Sequence, residues 1–174
     1  MKCFRKAVWC MAQLKVLVVM GSDSDFPVME SCFKLLSKFE IPYEAKICSA
    51  HRSPYLASEL ASSAKEQGFG VIIAAAGGAA HLAGVVAAHT LLPVIGIPIE
   101  NGAFKGLDAL LSTVQMPGGI AVATVGVGSG GAMNAALLAA EMLALSDPAL
   151  RERLASDRAA RKAKVIQADE ELQQ

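Results

Sequence analysis

Aromatic side chains are scarce in this chain, 5% of its 174 residues, although 53% of them are hydrophobic. Ala, Leu, Val and Gly carry the apolar content, which suits close packing of helices on a sheet. Excess charge is missing as well, since 16 Lys and Arg balance 16 Asp and Glu. A neutral chain has no bulk attraction for nucleic acid or acidic membranes, and neither is expected as a partner. The four cysteines, Cys3, Cys10, Cys32 and Cys48, make no CxxC pair and no His/Cys cluster with zinc spacing. They read as free thiols of a reducing, cytoplasmic compartment. Cys48, beside a histidine motif, is either a nucleophile or a small buried residue ending a strand, the more usual state of a free cysteine. Also absent are an HExxH helix, a P-loop, a GxGxxG fingerprint, a Ser/His/Asp triad order and an acidic metal cluster. No metal or organic cofactor is demanded. The chemistry left is acid–base catalysis with electrostatic stabilisation.

Charge is absent from two long stretches, Val71–Ile99 and Ala109–Ala140. Neither reads as a membrane span. The first is broken by Gly77-Gly78, His81, His89, Pro93 and Pro98, the second by Gln115, Pro117-Gly118-Gly119 and the glycine-rich 126–131. Both read as buried strand–helix–strand segments. Residues 1–13 place Lys2, Arg5 and Lys6 before a short apolar run without the full core of a signal peptide. They are expected to be a disordered arm, or to precede a translation start at Met11. The length predicts one catalytic domain with a real core, 14–146. The apolar content exceeds the needs of one small domain and points to subunit interfaces centred on apolar helices.

What is present is an alternation of strands and helices. Lys15–Met20 is an apolar, β-branched strand without polar alternation, as in a strand covered on both faces. Ser24 or Asp25 caps a helix running to about Phe39. Tyr43–Cys48 is a strand, Pro54 opens a helix to about Gln67, and Gly68 closes it. Strand Val71–Ala75, helix Ala79–Leu91, strand Val94–Ile97, helix Leu107–Val114, strand Ile120–Val125 and helix Gly130–Leu145 follow. This pattern predicts a five-stranded parallel sheet between two helical layers, a flavodoxin-like α/β/α sandwich of strand order 2-1-3-4-5. The segment 147–174 differs, holding 12 of the 32 charged residues. Asp147-Pro148 starts a helix there. Its thin stripe of Leu150, Leu154, Val165 and Ile166 reads as a projecting helix that packs on a neighbouring subunit, the other reading being a solvated helix.

Three turns follow strands, and parallel sheets gather such turns along the edge where ligands bind. Met20-Gly21-Ser22-Asp23-Ser24-Asp25 supplies a close-approach glycine, two hydroxyls and open N–H groups, or simply caps a helix. Asp25 would repel phosphate and is better suited to ribose hydroxyls. Ser49-Ala50-His51-Arg52-Ser53-Pro54 offers a guanidinium for phosphate or carboxylate. It also offers an imidazole that titrates near neutrality. The plainer reading is a surface His beside an ion-paired Arg. Ala76-Gly77-Gly78-Ala79-Ala80-His81-Leu82 leaves room for a flat ring, with His81 either touching a ligand or supporting a group that does. His89 reads as structural. Gln115–Gly119 is a closing loop or a turn, and Asn134 reads as a hydrogen-bonding group at a helix end or interface. The inventory suits a small phosphorylated substrate and proton transfer.

Met20–Asp25, Ser49–Pro54, Ala76–Gly84, Leu107–Thr124 and Asn134–Ala139 together resemble the N5-carboxyaminoimidazole ribonucleotide mutase family, the class I AIR carboxylases of purine biosynthesis. The resemblance covers about residues 15–158. It implies an isomerase that moves a carboxylate from N5 to C4 of an aminoimidazole ribonucleotide, with transient CO2 and no ATP, metal or biotin. It further implies a homo-octamer with sites at subunit contacts, His51 as the proton-transfer residue, and Ser22, Asp25 and Arg52 on the nucleotide. Ser24, Ser49, Ala50, Gly77, Gly78, Ala79, His81 and Leu82 complete the expected substrate-binding set. One departure stands out: His81-Leu82-Ala83-Gly84 replaces the family's usual His-Leu-Pro-Gly, which would loosen the loop beside the CO2 pocket. A class II carboxylase, a nicotinate-dinucleotide carboxylase and a non-catalytic flavodoxin-like module are the rival readings. The Ala-Gly-Gly-Ala-Ala-His form favours the mutase over the first. The missing extra domain disfavours the second.

Overall fold

The first strand, β1 (Lys15–Met20), divides its side chains between two cores. Val16, Val18 and Met20 enter one apolar cluster and Leu17 and Val19 the other, because successive strand side chains point to opposite faces. Each such side chain, fully removed from water, contributes about 1.5–3 kcal/mol. The computed structural model describes residues 13–173, so the expected N-terminal arm lies outside the described residues except for Gln13. With β2 (Tyr43–Ile47), β3 (Phe69–Gly77), β4 (Val94–Ile99) and β5 (Ala123–Thr124), β1 forms a five-stranded sheet of order β2-β1-β3-β4-β5, every pair parallel. Helices α1 (Phe26–Lys38) and α5 (Gly128–Leu143) cover one face. Helices α2 (Pro54–Ser63), α3 (Leu82–Ala88) and α4 (Leu107–Val114) cover the other. This is the expected flavodoxin-like sandwich.

Small residues set the helix-to-sheet spacing. Ala132, Ala135, Ala136, Ala139 and Ala140 of α5 are fully buried. At Gly96 of β4 a Cβ would lie 2.4 Å from the Thr113 methyl, so α4 sits hard against the strand. Ala83, the departure from the family pattern, stands in the first turn of α3 and is buried. The helix starts there with alanine in place.

Several boundaries differ from the sequence expectation. The ladder of β5 holds only Ala123 and Thr124 rather than Ile120–Val125, because an edge strand pairs on one side only and a Pro-Gly-Gly turn precedes it. Helix α3 is shorter than Ala79–Leu91. Tight bonds from Ala80 N–H to the Gly78 carbonyl and from His81 N–H to the Ala79 carbonyl consume its expected first turn. Helix α2 ends at Ser63, short of Gln67, while Gly68 still makes the closing turn at φ +86°. Cys48 is buried just beyond β2, the strand-ending position expected of it.

The last helix, α6 (Pro148–Leu172), starts where expected, Asp147 accepting from Leu150 N–H at 3.0 Å. Its first half docks on its own protomer. Leu150 is buried, Leu154 packs on the α1/α5 core, and Arg153 Nε donates to the Phe39 carbonyl at 3.0 Å. Buried Asp157 bonds to Lys38 of α1 and, at 2.6 Å, to Arg161. Beyond Arg161 the described side chains are exposed, Val165 and Ile166 included, so this half projects. Among the described residues no helix is long and apolar enough to cross a membrane.

Candidate active site

The turns after β1, β2, β3 and β4 meet at the carboxyl edge of the sheet, as parallel connections require. They enclose a cavity of about 350 Å³ lined by Gly21, Ser22, Ser24, Asp25, Ser49, Ala50, His51, Arg52, Ala76, Gly77, Ala79, Leu82 and Asn101. Ten of the twelve residues singled out from the sequence are in that lining. The other two adjoin it, Gly78 between the lining residues Gly77 and Ala79 in the chain and His81 in contact with His51.

Asp25 stands at the N-cap position of α1, as read, but makes no capping bond there; the turn after β1 is organised by Ser22. Ser22 Oγ accepts from Ser24 N–H at 3.3 Å, and Ser22 N–H donates to Asp25 Oδ2 at 3.0 Å. This reciprocal box closes a short 3-10 turn, Asp23–Asp25, ahead of α1. The Ser22 hydroxyl donates to Asp23 at 3.0 Å and holds that exposed carboxyl below its usual range. Asp25 is only 3% exposed. Burial pushes its carboxyl up, opposed by N–H donation from Ser22 and Gly21. It forms no ion pair among the described residues. A carboxylate offers about four acceptor sites, so Asp25 keeps capacity for hydroxyls of a ligand in the cavity.

The β2 turn is pinned by Ser53. Its hydroxyl donates to the Ser49 carbonyl at 3.0 Å and accepts from Ser49 N–H at 3.1 Å, while Arg52 N–H donates to Ser49 Oγ at 3.2 Å. Cys48 Sγ lies 3.6 Å from the same Ser53 hydroxyl, beneath the turn. The two exposed residues of this turn, His51 and Arg52, are thereby presented to the cavity. Arg52 has no ion-pair partner among the described residues, contrary to the plainer reading of it. Its guanidinium makes only a long, 3.4 Å bond to the Gly21 carbonyl, leaving most of its donor fork for an anion.

The β3 turn supplies the small wall. Gly78 takes φ +62°, a left-handed conformation that other residues rarely adopt. A Cβ at Gly77 would sit 2.2 Å from Asn101 Nδ2. Asn101, in the turn after β4, is the lining residue that the sequence reading missed. Its signal was available: a polar residue before a glycine at the end of a fourth strand whose carboxyl edge is the same one.

His81 precedes α3, and its Nδ1 lies 2.9 Å from His51 Nε2 with the rings edge to face at 80°. His81 also lines a second groove, of about 510 Å³, with Gly84, Val85, Ala88, Leu111, Ser112, Gln115 and Met116. Gln115 and Met116, the first two residues of the segment read as a closing loop or a turn, share that groove with His81. His89 is exposed, 3.4 Å from Ser58 Oγ, and Asn134 is exposed on α5; neither lines the cavity. Among the described residues no three His, Cys, Asp or Glu side chains gather as metal ligands. The cavity offers a guanidinium, three serine hydroxyls, a buried acceptor, small walls and one imidazole. That set suits an anionic, hydroxylated ligand and the movement of a proton.

Known proteins resemble this chain over most of its length. The family model described as AIR carboxylase matches residues 15–164. N5-carboxyaminoimidazole ribonucleotide mutase of Pyrococcus abyssi is 58% identical over 140 residues, 80% of this chain and 79% of that one. The mutase of Bacillus subtilis is 48% identical over 155 residues, 89% of this chain and 96% of the relative. The crystal structure of Treponema denticola PurE superimposes with a TM-score of 0.81 at 30% identity, covering 91% of this chain and 98% of that one. A family match across 15–164 and these identities over most of both chains place it without ambiguity: the chain belongs to the AIR carboxylase family.

Proposed function

We propose that this protein is a 5-(carboxyamino)imidazole ribonucleotide mutase of purine biosynthesis, moving the carboxylate from N5 to C4. The observation that carries the reading is the meeting of His51, Arg52, Ser22 and Asp25 in one cavity, in a chain about as long as, and 48–58% identical to, proteins of that name. Arg52 and Ser22 would hold the 5′-phosphate. Asp25 would accept from the ribose hydroxyls, the partners that its buried carboxylate otherwise lacks. Ser24, Ser49, Ala50, Gly77, Gly78, Ala79, His81 and Leu82 would surround the imidazole.

The reaction balances on one proton. His51, as imidazolium, protonates N5; the N5–carboxylate bond breaks, releasing CO2 and aminoimidazole ribonucleotide. The electron-rich C4 attacks that CO2, forming a C–C bond and leaving a hydrogen on a tetrahedral C4. His51, now neutral, removes that proton and the ring regains aromaticity. One imidazole therefore serves as acid and then as base. Backbone N–H groups of 77–81 would steady the migrating carboxylate. Closure against water would keep the CO2 at hand. This route uses no metal or organic cofactor.

We further read residues 14–146 as the catalytic unit and 147–174 as an extension that meets a neighbouring subunit of a cytoplasmic homo-octamer. The support is the apolar surface left open on one protomer: Leu107, Leu111 and Val114 on one side of α4, with Ile47 and Phe26 near the β2 edge. Such patches mark association sites. Purified protein given N5-carboxyaminoimidazole ribonucleotide without ATP is expected to form the C4 carboxylate. Conversion only of aminoimidazole ribonucleotide plus bicarbonate would instead indicate the direct carboxylase, and inactivity in both with nucleotide bound a non-catalytic module. A monomer by light scattering would refute the octamer.

A further inference from the structure

Among the described residues that line the cavity, Asn101 carries the only side-chain amide. It stands just beyond β4, in an exposed turn. Its side chain lies against the end of β3. A Cβ at Gly77 would sit 2.2 Å from Nδ2, 2.7 Å from Cγ and 3.1 Å from Oδ1, and one at Gly78 would sit 3.9 Å from Oδ1. Glycine at 77 is what makes room for this amide. Among the described residues the amide makes no side-chain hydrogen bond to protein. One acceptor oxygen and two N–H donors are therefore left for a ligand.

The order of the turns along the sheet edge selects the part of the ligand that meets this amide. The order β2-β1-β3-β4 puts the turn of Arg52 at one end and that of Asn101 at the other, their strands three spacings, about 14 Å, apart. Asp25 and the Gly77 wall lie between them. A nucleotide with its phosphate on Arg52 and its ribose on Asp25 brings its ring to that wall, where Asn101 lies. His51 comes to the same wall from the β2 end, since its ring touches that of His81 at the close of the β3 turn.

Charge gives the amide a task there. The substrate carries two anionic groups, the phosphate and the migrating carboxylate, and among the described residues Arg52 is the one Lys or Arg in the lining. With Arg52 on the phosphate, the carboxylate is left to neutral donors. Two backbone donors of the β3 turn are already spent, Ala80 N–H on the Gly78 carbonyl and His81 N–H on the Ala79 carbonyl. A neutral amide also suits a group that must leave as CO2, because an opposite charge would favour the anion over the neutral product. The amide matches the neighbouring group as well. Before and after transfer, an N–H on the exocyclic nitrogen stands beside the carboxylate. Oδ1 can accept from the first while Nδ2 donates to the second.

We propose that Asn101 is a substrate-binding, specificity-determining residue that reads the amine–carboxylate edge of the aminoimidazole, Nδ2 donating to the migrating carboxylate and Oδ1 accepting from the exocyclic nitrogen. The proposal deepens the mutase reading and rests on it.

Calorimetry with two nucleotides, one with the carboxylate and one without, isolates the contact. Asn101→Ala is expected to bind the C4-carboxylated nucleotide about 10-fold more weakly, the scale of one hydrogen bond to a charged group. Its affinity for aminoimidazole ribonucleotide is expected to fall only about two- to three-fold, the scale of a neutral bond. Asn101→Asp keeps the acceptor and sets a like charge against the carboxylate. It is expected to lose about 100-fold on the carboxylated nucleotide and nothing on aminoimidazole ribonucleotide. Both variants are expected to melt with wild type, because the amide has no protein partner to lose. Equal losses on the two nucleotides would move Asn101 to the ribose or phosphate and overturn the proposal. Unchanged affinity of both variants for the carboxylated nucleotide would overturn it too. Wild-type protein that shows the expected carboxylate dependence yet converts no N5-carboxyaminoimidazole ribonucleotide overturns the mutase reading and not the contact. Wild-type protein that binds neither nucleotide overturns both.

Discussion

Asp25 at the sheet edge and Asp157 on α6 are both buried carboxylates, 3% and 7% exposed, yet their surroundings are opposite. Asp157 brings its own cations, Lys38 from α1 and Arg161 one turn on, and they hold its carboxyl below the usual range. Asp25 has only backbone N–H donors, and burial pushes its carboxyl above the usual range. A buried charge is expensive unless paired. The pairing around Asp157 therefore reads as structural, tying α6 to the body. The incomplete satisfaction of Asp25, facing a cavity, reads as readiness for a ligand that completes it. Stability is given up at the edge of the sheet and recovered elsewhere, the usual arrangement at functional sites.

Substitutions can break that contrast, and the largest effect is expected at the group that does chemistry. His51→Asn should cost at least about 10³-fold in kcat while calorimetry still detects nucleotide binding; near-normal turnover would end the acid–base assignment. Arg52→Ala should weaken nucleotide binding about 100-fold through the lost phosphate fork, and unchanged affinity would place the phosphate elsewhere. On the structural side, Asp157→Asn should lower unfolding stability by about 2 kcal/mol, the scale of hydrogen bonds to charged groups, with kcat unaltered where the protein is folded. A depressed folded-state pKa stabilises above the unfolded value of about 3.9 and stops doing so as pH falls through the folded value. The wild-type advantage over Asp157→Asn in urea titrations should therefore vanish in acid.

Asp25→Asn should do the reverse, and its effect on stability should be the smallest. A raised folded-state pKa means that ionisation costs stability above the unfolded value of about 3.9, and the cost is relieved as pH falls. The amide oxygen can still accept from Ser22 N–H. Asp25→Asn is expected to melt no lower than wild type at neutral pH, with a gain of up to about 1 kcal/mol, and to bind nucleotide about 10-fold more weakly. A clear loss of thermal stability would make Asp25 a structural residue like Asp157.

Much of this contrast was legible in the residues. Lys15–Met20 and Leu107–Val114 were read at their observed bounds because turn residues punctuate each, Gly21 after the first and Gly106 and Pro117-Gly118-Gly119 around the second. The three motif turns were placed on one edge because parallel βα units leave no other arrangement. Asp25 stands at the N-cap position of α1, one of the two residues read for it, but it makes no capping bond to that helix; the side-chain cap is that of Ser22 on the 3-10 turn ahead of it, which only the folded turn shows. Asn101 was missed because its place depends on the depth of Gly77, a tertiary fact. The ladder of β5 was read too long because apolar β-branched residues mark strand propensity, not a partner to pair with. The bond between His51 and His81 joins residues thirty apart in the chain, and no spacing rule announces it.

The central claim, that the uncompensated Asp25 is completed by substrate, is tested most directly by a crystal structure with the C4-carboxylated nucleotide bound. The account predicts the ribose hydroxyls within hydrogen-bond distance of Asp25, the phosphate on Arg52 and Ser22, and the ring beside His51. A nucleotide bound with its ribose away from Asp25, or a phosphate pairing with residues outside this cavity, would contradict it.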